Sequence, residues 1–386
     1  MKKVYVVTKV RGFLTELLKK NFENIDIKYT DKNTYELNTK RKELFARIVR
    51  SWVGSILAPI SSIKLKSSDY RNFDLLFSYN RLLDCQKPYI IYLENPFALV
   101  HYSNKRPYNM FIKKKLKKLF YNDNLKTIVC LSESCYDTLK LVYDIPDSVK
   151  VKQIYPYISD VTLEKFKCIL SEKGKRTSIQ CLFVTSNFIL KGGNEILCAF
   201  NLLSSLVSNN IKLKIVTPIS KLDEENKNKI EKNNNIELVD FNLTKAQLNE
   251  VYADNDILLN PTRQDSFSLV TLEAMKYGNV ILSTDLYAIP EMVHDQENGF
   301  IFPPKYRFFD YNKLPNDYVW NHRKKTIQSD FLDEAVVEFL KEKLVYLFEN
   351  REKMINMSKK SFEIANNGSF SSKKIANEWQ MVLQDS

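Results

Sequence analysis

Short apolar segments alternate with helix-like segments throughout the second half of this 386-residue chain. Segments of this length that are rich in Val, Ile, Leu and Phe predict buried strands, and the amphipathic stretches between them predict helices. Strands that alternate with helices form a parallel sheet covered on both faces. The sequence therefore predicts a doubly wound α/β domain, with strands at residues 181–185, 212–217, 236–239, 257–260, 280–284 and 299–302.

The first half shows the same alternation less clearly. It predicts strands at residues 3–8, 73–78, 88–94, 127–131 and 150–155, and Ser132 is a suitable N-cap for a helix. The length is about right for two such domains. We expect one Rossmann-like domain over residues 1–160 and a second over 161–365, with an irregular excursion at 305–330. Residues 366–386 are expected to end in a further helix.

The composition narrows the class of protein. With 44% apolar residues, both domains can bury a core, which argues against global disorder. The basic start leads directly into a strand, and no segment approaches the ~20 apolar residues of a membrane span, so neither a signal peptide nor a transmembrane helix is expected. The six cysteines form no CxxC pair and have no histidines at zinc spacing. We expect a cytoplasmic protein.

The positive charge is concentrated in the first half. Residues 1–160 contain 29 Lys and Arg against 16 Asp and Glu, whereas the rest of the chain contains 29 against 30. The densest run is at residues 113–118, among apolar residues at helical spacing. This pattern suits an anionic membrane surface, at the inner face of the membrane, or an anionic acceptor. A solvated helix face explains it equally well. A nucleic-acid partner is not expected, because the run is one short helix without an aromatic stacking platform.

Glycine placement points to ligand sites at the ends of two strands. Gly12 follows the first strand of the first domain, and Gly192 follows the first strand of the second. A glycine there lets the backbone approach a ligand at the carboxyl edge of a sheet, where doubly wound folds bind ligands. Two such edges that face one another would form a cleft. Neither glycine belongs to a GxGxxG motif.

The segment at residues 260–278 carries the clearest chemical signal. Asp265 lies in a loop after a strand, and Glu273 lies about two turns inside the following helix. Free backbone N–H groups of Ser268 and Leu269 at the helix start would suit a diphosphate. Glu273 could then reach ribose hydroxyls, and Asp265 the hydroxyls of a transferred sugar. The alternative is an ordinary amphipathic helix with solvent-facing acids.

These residues resemble the acidic-x7-acidic signature of the retaining GT-B glycosyltransferases of family 4, with Asp265 in place of the usual first Glu. The segments 280–285, 289–293 and 297–303 continue the likeness, and residues 183–192 resemble the family's first strand with its Lys-Gly turn. Three departures stand out: Thr185-Ser186 replaces the usual Gly-Arg, Ser268 replaces a Gly, and Tyr287-Ala288 replaces Gly-Gly. The missing arginine leaves Lys191 as the expected phosphate contact.

The resemblance implies a GT-B fold, in which two Rossmann-like domains face a cleft and the last helix crosses back to the N-terminal domain. It also implies that the second domain binds the donor, and that transfer retains the anomeric configuration. The pattern and the resemblance together give these candidate donor-binding residues: Gly12, Asn187, Lys191, Gly192, Asp265, Ser266, Phe267, Ser268, Leu269 and Glu273.

Glu94 follows a buried-looking strand of the first domain and is the candidate that orients the acceptor hydroxyl or accepts its proton. His101, seven residues on, is a competing candidate, although an ordinary structural role explains it better. Glu94, Asp265 and Lys191 are therefore the expected catalytic residues. No carboxylate pair occupies a metal-binding position, so no metal and no other cofactor is expected.

The expected activity is that of a hexosyltransferase-type enzyme. It would move a sugar from a UDP- or GDP-sugar to a hydroxyl of a carbohydrate or lipid-linked acceptor, in bacterial polysaccharide, glycolipid or glycoconjugate synthesis. Two alternatives stay open. One is another GT-B enzyme, such as a nucleotide-sugar epimerase or an inverting transferase, and the other is a catalytically degenerate protein that binds sugar nucleotides.

Overall fold

A computed structural model describes residues 1–9, 12–29, 59–66, 68, 70–203 and 205–386 of the chain. The chain forms two compact units. The first comprises Met1–Ser159 together with Ser372–Ser386, and the second comprises Asp160–Ser371. Both units are α/β, with helices packed on a parallel sheet. None of the helices in the described part of the chain combines the length and the apolar character needed to span a bilayer.

The first unit contains a six-stranded parallel sheet of order β2-β1-β4-β6-β7-β8, and a separate pair formed by β3 and β5. Its central strand, Tyr89–Leu93, is buried at every position, as expected for an apolar run covered on both faces. The strands are β1 (Lys2–Val6), β2 (Ile25–Lys28), β3 (Ser62–Lys64), β4 (Leu75–Tyr79), β5 (Leu82–Asp84), β6 (Tyr89–Leu93), β7 (Leu125–Cys130) and β8 (Lys150–Gln153). The α-helices are α1 (Gly12–Leu18), α2 (Met110–Phe120), α3 (Glu133–Val142) and, from the end of the chain, α14 (Ser372–Asp385).

The last helix packs into the core of the first unit. Trp379 is fully buried, and its ring centroid lies 5.6 Å from that of Phe77 and 5.0 Å from that of Tyr92. The side chain of Gln380 accepts a hydrogen bond from the backbone N–H of Glu23 and donates one to its carbonyl. Large aromatic rings contribute most to such packing, so this helix is a structural part of the first unit.

The second unit contains the sheet β11-β10-β9-β12-β13-β14, all parallel, which is the strand order of a Rossmann fold. Its strands are β9 (Ile179–Val184), β10 (Ile211–Thr217), β11 (Ile236–Asp240), β12 (Ile257–Asn260), β13 (Val280–Thr284) and β14 (Gly299–Phe302). Its α-helices are α4 (Leu163–Lys175), α5 (Gly193–Asn201), α6 (Ser205–Ser208), α7 (Glu224–Glu231), α8 (Lys245–Asp254), α9 (Leu269–Lys276), α10 (Ile289–Met292), α11 (Asp317–Asn321), α12 (Glu334–Glu349) and α13 (Arg351–Asn367).

The strand order of the second unit determines where a ligand can bind. The sequence of strands reverses direction between β9 and β12, and the loops that follow these two strands diverge. Doubly wound sheets bind their ligands in the crevice at this switch point, beyond the carboxyl ends of the strands. The loops at residues 185–192 and 261–268 therefore border the expected crevice.

The excursion expected at residues 305–330 is irregular and aromatic. It contains α11 and a 3₁₀ turn at Arg323–Lys325. The rings of Phe308 and Trp320 stack with centroids 4.2 Å apart, and Phe309 packs against both. These three rings are buried. The segment thus has a small apolar core of its own.

Candidate functional site

An ion pair links the two loops at the switch point of the second unit. The Nζ atom of Lys191, in the loop after β9, lies 2.6 Å from Oδ2 of Asp265, in the loop after β12. The same Nζ donates to the carbonyl of Gln264 at 2.9 Å. The lysine side chain is 25% exposed and the aspartate side chain 16%. The pair is thus partly shielded from water, and it retains one lysine N–H for another acceptor.

Asp265 also caps the loop that leads into α9. Its Oδ1 accepts hydrogen bonds from the backbone N–H groups of Ser266 at 2.9 Å, Phe267 at 3.3 Å and Ser268 at 3.0 Å. Burial raises the pKa of this carboxyl, but the charge of Lys191 and these hydrogen bonds outweigh burial, so its pKa lies below the usual value. The expectation that the Ser268 N–H is free for a ligand is wrong, because Asp265 occupies it.

The two loops pack backbone against backbone. Gly192 has φ 82°, and a Cβ atom there would lie 2.2 Å from the carbonyl oxygen of Pro261. The N–H of Arg263 donates to the carbonyl of Leu190 at 3.0 Å. Only glycine can combine the positive φ at position 192 with this close approach to the carbonyl of Pro261. Asn187 closes the same turn: its Oδ1 accepts from the N–H of Leu190 at 3.2 Å. The structure therefore gives Asn187 a local structural role.

Helix α9 begins with a residue in a left-handed conformation. Ser268, its N-cap, has φ 70°. Its Oγ accepts from Nδ2 of Asn260 at 2.9 Å and lies 3.0 Å from Oγ1 of Thr271. The N–H groups of Leu269 and Val270, the first two helical residues, have no acceptor within the helix because of their position. These are the donors that α9 can offer a ligand.

Glu273 is held by two partners. Its Oε1 lies 2.6 Å from Nζ of Lys245, and its Oε2 accepts from the hydroxyl of Tyr252 at 2.9 Å. Burial, followed by the adjacent Glu273 carboxylate, raises the pKa of Tyr252 well above its usual value, so this phenol remains a donor. The glutamate side chain is 20% exposed. A solvent-facing acid would lack these partners, so the structure favours a fixed and oriented carboxylate.

A buried ion pair that the sequence pattern does not reveal supports this site. Oε1 of Glu195, in the first turn of α5, lies 2.5 Å from Nη2 and 3.1 Å from Nε of Arg263. Nη1 of the arginine donates to the carbonyl of Ser329 at 2.9 Å. Both side chains are over 90% buried. The pair holds the loop that contains Asp265 against α5. Its partners lie 68 residues apart in the sequence, so no local motif indicates the contact.

In the first unit, Glu94 lies at the carboxyl end of β6. Its Oε2 accepts from the hydroxyl of Tyr79 at 2.7 Å, and its N–H donates to Oδ1 of Asn80 at 2.9 Å. The residue is 9% exposed. Desolvation, followed by the charge of Arg106, lowers the pKa of His101 to about 4, so that this histidine is neutral at physiological pH.

Gly12 begins α1, with nothing within 4 Å of an added Cβ.

Within the part of the chain that the structure describes, no three His, Cys, Asp or Glu side chains form a group that could hold a metal ion. The candidate site of the second unit instead combines one lysine, helix N–H groups and carboxylates. Such groups bind phosphate oxygens and sugar hydroxyls.

Comparison with known proteins finds a family match in the second unit and a relative that matches most of the chain. Residues 180–309 match the family described as glycosyl transferases group 1. A relative from Klebsiella pneumoniae, named as an uncharacterized 41.2 kDa protein in the cps region, is 23% identical over 358 residues, which are 84% of this chain and 93% of the relative.

Solved structures show the same fold. Anabaena HepE in complex with UDP has a TM-score of 0.62 at 12% identity, with both chains covered completely. A glycosyltransferase from Rickettsia africae has a TM-score of 0.58 at 15% identity, covering 100% of this chain and 98% of that one. WaaG, a glycosyltransferase involved in lipopolysaccharide biosynthesis, has a TM-score of 0.58 at 13% identity, again over both whole chains.

The matched segment lies inside the second unit and contains Lys191, Asp265 and Glu273. At these low identities the solved structures show only the fold, and the family match supports the type of reaction. The chain is thus a glycosyltransferase of the hexosyltransferase type with a GT-B fold, and residues 180–309 of its second unit are similar to the glycosyl transferases group 1 family.

Proposed function

We propose that this protein is a retaining glycosyltransferase, which moves a sugar from a UDP- or GDP-sugar to a hydroxyl of a carbohydrate or lipid-linked acceptor. The observation that carries the proposal is the Lys191–Asp265 pair beside the start of α9, at the switch point of a Rossmann sheet. The family match supports it. HepE was solved with UDP-glucose. The relative in the cps region and WaaG in lipopolysaccharide biosynthesis support a role in bacterial polysaccharide or glycoconjugate synthesis.

The donor-side roles follow from the hydrogen-bonding capacity of each group. Lys191 has one N–H beyond those bonded to Gln264 and Asp265, and this N–H can bind a phosphate oxygen. The N–H groups of Leu269 and Val270, at the positive end of α9, bind a second phosphate oxygen. Asp265 positions Lys191 and remains close enough to the phosphate site to contact hydroxyls of the transferred sugar.

Glu273 is proposed to bind the ribose hydroxyls. A carboxylate oxygen has two lone pairs, so each oxygen of Glu273 can accept a ribose O–H in addition to its bond from Lys245 or Tyr252. The two existing partners fix the carboxylate before the nucleotide arrives, which lowers the entropy cost of binding.

The transfer step breaks the bond between the anomeric carbon and the diphosphate oxygen. A bond then forms from the acceptor oxygen to the same face of that carbon. The acceptor proton passes to the departing diphosphate, which leaves with the electron pair of the broken bond. Lys191 and the α9 N–H groups stabilise the charge that develops on the leaving oxygen, without a divalent ion. Glu94, oriented by Tyr79, is proposed to orient the acceptor hydroxyl.

A donor panel tests the proposal. The purified protein is incubated with UDP- and GDP-sugars, and released nucleotide and products are followed by NMR. Release of nucleotide with a retained anomeric configuration is expected. An inverted product would indicate an inverting transferase, and an altered free sugar nucleotide an epimerase. Binding without transfer or hydrolysis across the panel would indicate a degenerate binding protein.

We also propose that the first unit binds anionic membranes peripherally, at the inner face, where a lipid-linked acceptor would be presented. Helix α2 buries Ile112, Leu116 and Phe120, and its remaining face carries five lysines. Beside them, Met110 is 80% exposed and Phe111 is 64% exposed. A helix that only packed on its own domain would not need exposed apolar residues at the start of its basic face. Basic and apolar groups together suit a lipid interface.

Flotation with phosphatidylglycerol vesicles at low and high salt tests this surface. Each basic residue near an anionic membrane contributes about 1 kcal/mol, and salt screens the attraction. The variant carries Glu at Lys113, Lys114, Lys117 and Lys118. The matched control carries four Glu in the second unit, at Lys324, Lys325, Lys359 and Lys360. Loss of flotation in the first variant alone is expected. Equal flotation by both variants would leave α2 as a solvated helix face.

A further inference from the structure

Three carboxylates at the ligand-binding side of the second unit are each paired with one cation. Asp265 lies 2.6 Å from Lys191, and Glu273 lies 2.6 Å from Lys245. The third pair joins Oδ2 of Asp285, directly after β13, to Nη1 of Arg307 at 3.1 Å. Because each of these pairs is close to neutral, a diphosphate needs donors that the carboxylates have not saturated.

Arg307 has such donors. A guanidinium carries five N–H groups, and here one of them binds Asp285. Its side chain is only 12% exposed, and its buried Nε has no hydrogen-bond partner among the described atoms. A buried N–H without an acceptor is costly, and a ligand oxygen would remove that cost. The first two pairs lack this feature, because the lysine ammonium groups are flexible and more exposed.

The aromatic excursion holds this arginine in place. The guanidinium lies over the ring of Tyr311, 4.1 Å from its centroid. Phe309 packs on Tyr287, in the loop after β13, at 4.3 Å between centroids. Nζ of Lys313 donates to the carbonyl of Tyr287 at 2.9 Å. The segment therefore fastens itself to the loop after β13 and directs Arg307 to the end of that strand.

The sheet places Arg307 on the same edge as Lys191. Strands β9, β12 and β13 are consecutive and parallel, so the loops that follow them lie side by side. The hydroxyl of Thr284 donates to the carbonyl of Thr262 at 2.5 Å, which joins the loops after β13 and β12. With neighbouring strands ~4.8 Å apart, the loops after β9 and β13 are on the order of 10 Å apart. Two long cationic side chains can meet one diphosphate across that span.

We propose that Arg307 is a second anion-binding side chain of the nucleotide site, which contacts the diphosphate from the side opposite Lys191. This inference rests on the proposed function, since it assumes a nucleoside diphosphate as ligand. A guanidinium can bind two phosphate oxygens through its planar fork while Asp285 keeps its orientation. The excursion at residues 305–330 is then a functional insertion, which brings a cation to the end of β13.

Calorimetric titration with nucleotide and nucleoside tests the assignment. The probes are UDP or GDP, whichever the wild-type protein binds, and the matching nucleoside without phosphates. Arg307→Gln should weaken diphosphate binding about 10- to 100-fold and leave nucleoside binding unchanged. Arg307→Lys keeps the charge but loses the fork, so it should give a smaller loss. The control is Arg323→Gln, in the same segment, whose guanidinium packs on Trp320 and donates to its carbonyl.

Each outcome of the titration either supports the assignment of Arg307 or overturns it. Unchanged diphosphate affinity in both Arg307 variants would overturn the inference, and so would equal losses for diphosphate and nucleoside, or equal losses in the Arg323 control. Those last two results would mean that Arg307 only stabilises the fold. Loss of diphosphate affinity in Lys191→Ala but not in Arg307→Gln would leave the proposed function standing without this residue. A wild-type protein that binds neither UDP nor GDP would overturn both the proposed function and this inference.

Discussion

Replacement of Lys191 by alanine is the sharpest test of the donor site. The lysine makes two hydrogen bonds, to Asp265 and to the carbonyl of Gln264, and it is the cation of the loop after β9. Its removal takes away the proposed phosphate contact. It also leaves the carboxylate of Asp265 without its counter-charge at the place where an anionic ligand is expected to bind.

The magnitude follows from the kind of contact. A hydrogen bond to a charged group contributes about 1.5–3 kcal/mol, and 1.4 kcal/mol is a factor of ten. Lys191→Ala should therefore lower kcat/KM and nucleotide affinity about 10- to 100-fold. Both partners of the pair are less than a third exposed, so solvent screening reduces this figure only modestly.

Steady-state kinetics and calorimetric titration with the correct nucleotide measure the effect. Lys227→Ala is a matched control, since this lysine is 26% exposed and lies 2.7 Å from Glu224 on α7. Its carboxylate partner is 82% exposed, so this surface pair is worth about 0–1 kcal/mol. Wild-type turnover by Lys191→Ala, or an equal loss in the control, would refute the placement of the donor site.

The same variant should change the stability at low pH. The native pKa of Asp265 lies below its usual value, so the carboxylate adds stability above the unfolded pKa of about 3.9, and this stability is lost as the pH falls through the native pKa. Without Lys191 the native pKa of Asp265 rises, because the charge of the lysine no longer offsets the effect of burial. Acid unfolding followed by circular dichroism should therefore begin at a higher pH in Lys191→Ala than in Lys227→Ala. Coincident acid transitions would contradict this account of the pair.

Three further predictions concern the same unit. Glu273→Gln should weaken nucleotide binding about tenfold with little change in Tm, because a neutral amide binds ribose hydroxyls less strongly than a carboxylate; an unchanged dissociation constant would make Glu273 a structural acid. Transfer should survive EDTA, and a loss that Mg²⁺ or Mn²⁺ restores would contradict the metal-free mechanism. Gly192→Ala should lower the free energy of unfolding by more than about 1 kcal/mol, because its φ is 82° and the Cβ would strike Pro261. Gly174→Ala, inside helix α4 with nothing within 4 Å of its Cβ, is the control for thermal unfolding and should leave the stability unchanged or slightly raised.

The fold of the second unit could be predicted because its strands are continuous apolar runs. The predicted strand at 257–260 and the observed Ile257–Asn260 coincide, and so do 280–284 and Val280–Thr284. Helix ends were less accurate. The amphipathic pattern continues over residues 193–208, whereas α5 ends at Asn201 and a separate short helix follows at Ser205–Ser208. In the first unit, β2 at Ile25–Lys28 was missed, since only one of its four residues is buried.

The candidate site could be predicted only as far as local sequence reaches. The spacing of Asp265 and Glu273, and the glycine at 192, are local signals, and the structure gives each a definite geometry. The partners that fix them come from distant segments: Lys245 and Tyr252 for Glu273, and the Glu195–Arg263 pair for the loop. Tertiary packing selects these contacts, and no spacing in the sequence records them.

Two residues that replace glycines of the glycosyltransferase family which the sequence resembles show how this chain stabilises a strained backbone. Ser268 has φ 70° and Tyr287 has φ 47°, in a region that costs a residue with a side chain about 1–2 kcal/mol. Ser268 offsets the cost through hydrogen bonds to Asn260 and Thr271, and Tyr287 through its buried ring against Phe309. At each position the side chain that creates the strain also makes the contacts that compensate for it. A glycine at either position would relieve the strain but release the loop, so the loops at the ends of β12 and β13 are held by side-chain contacts instead of by glycine.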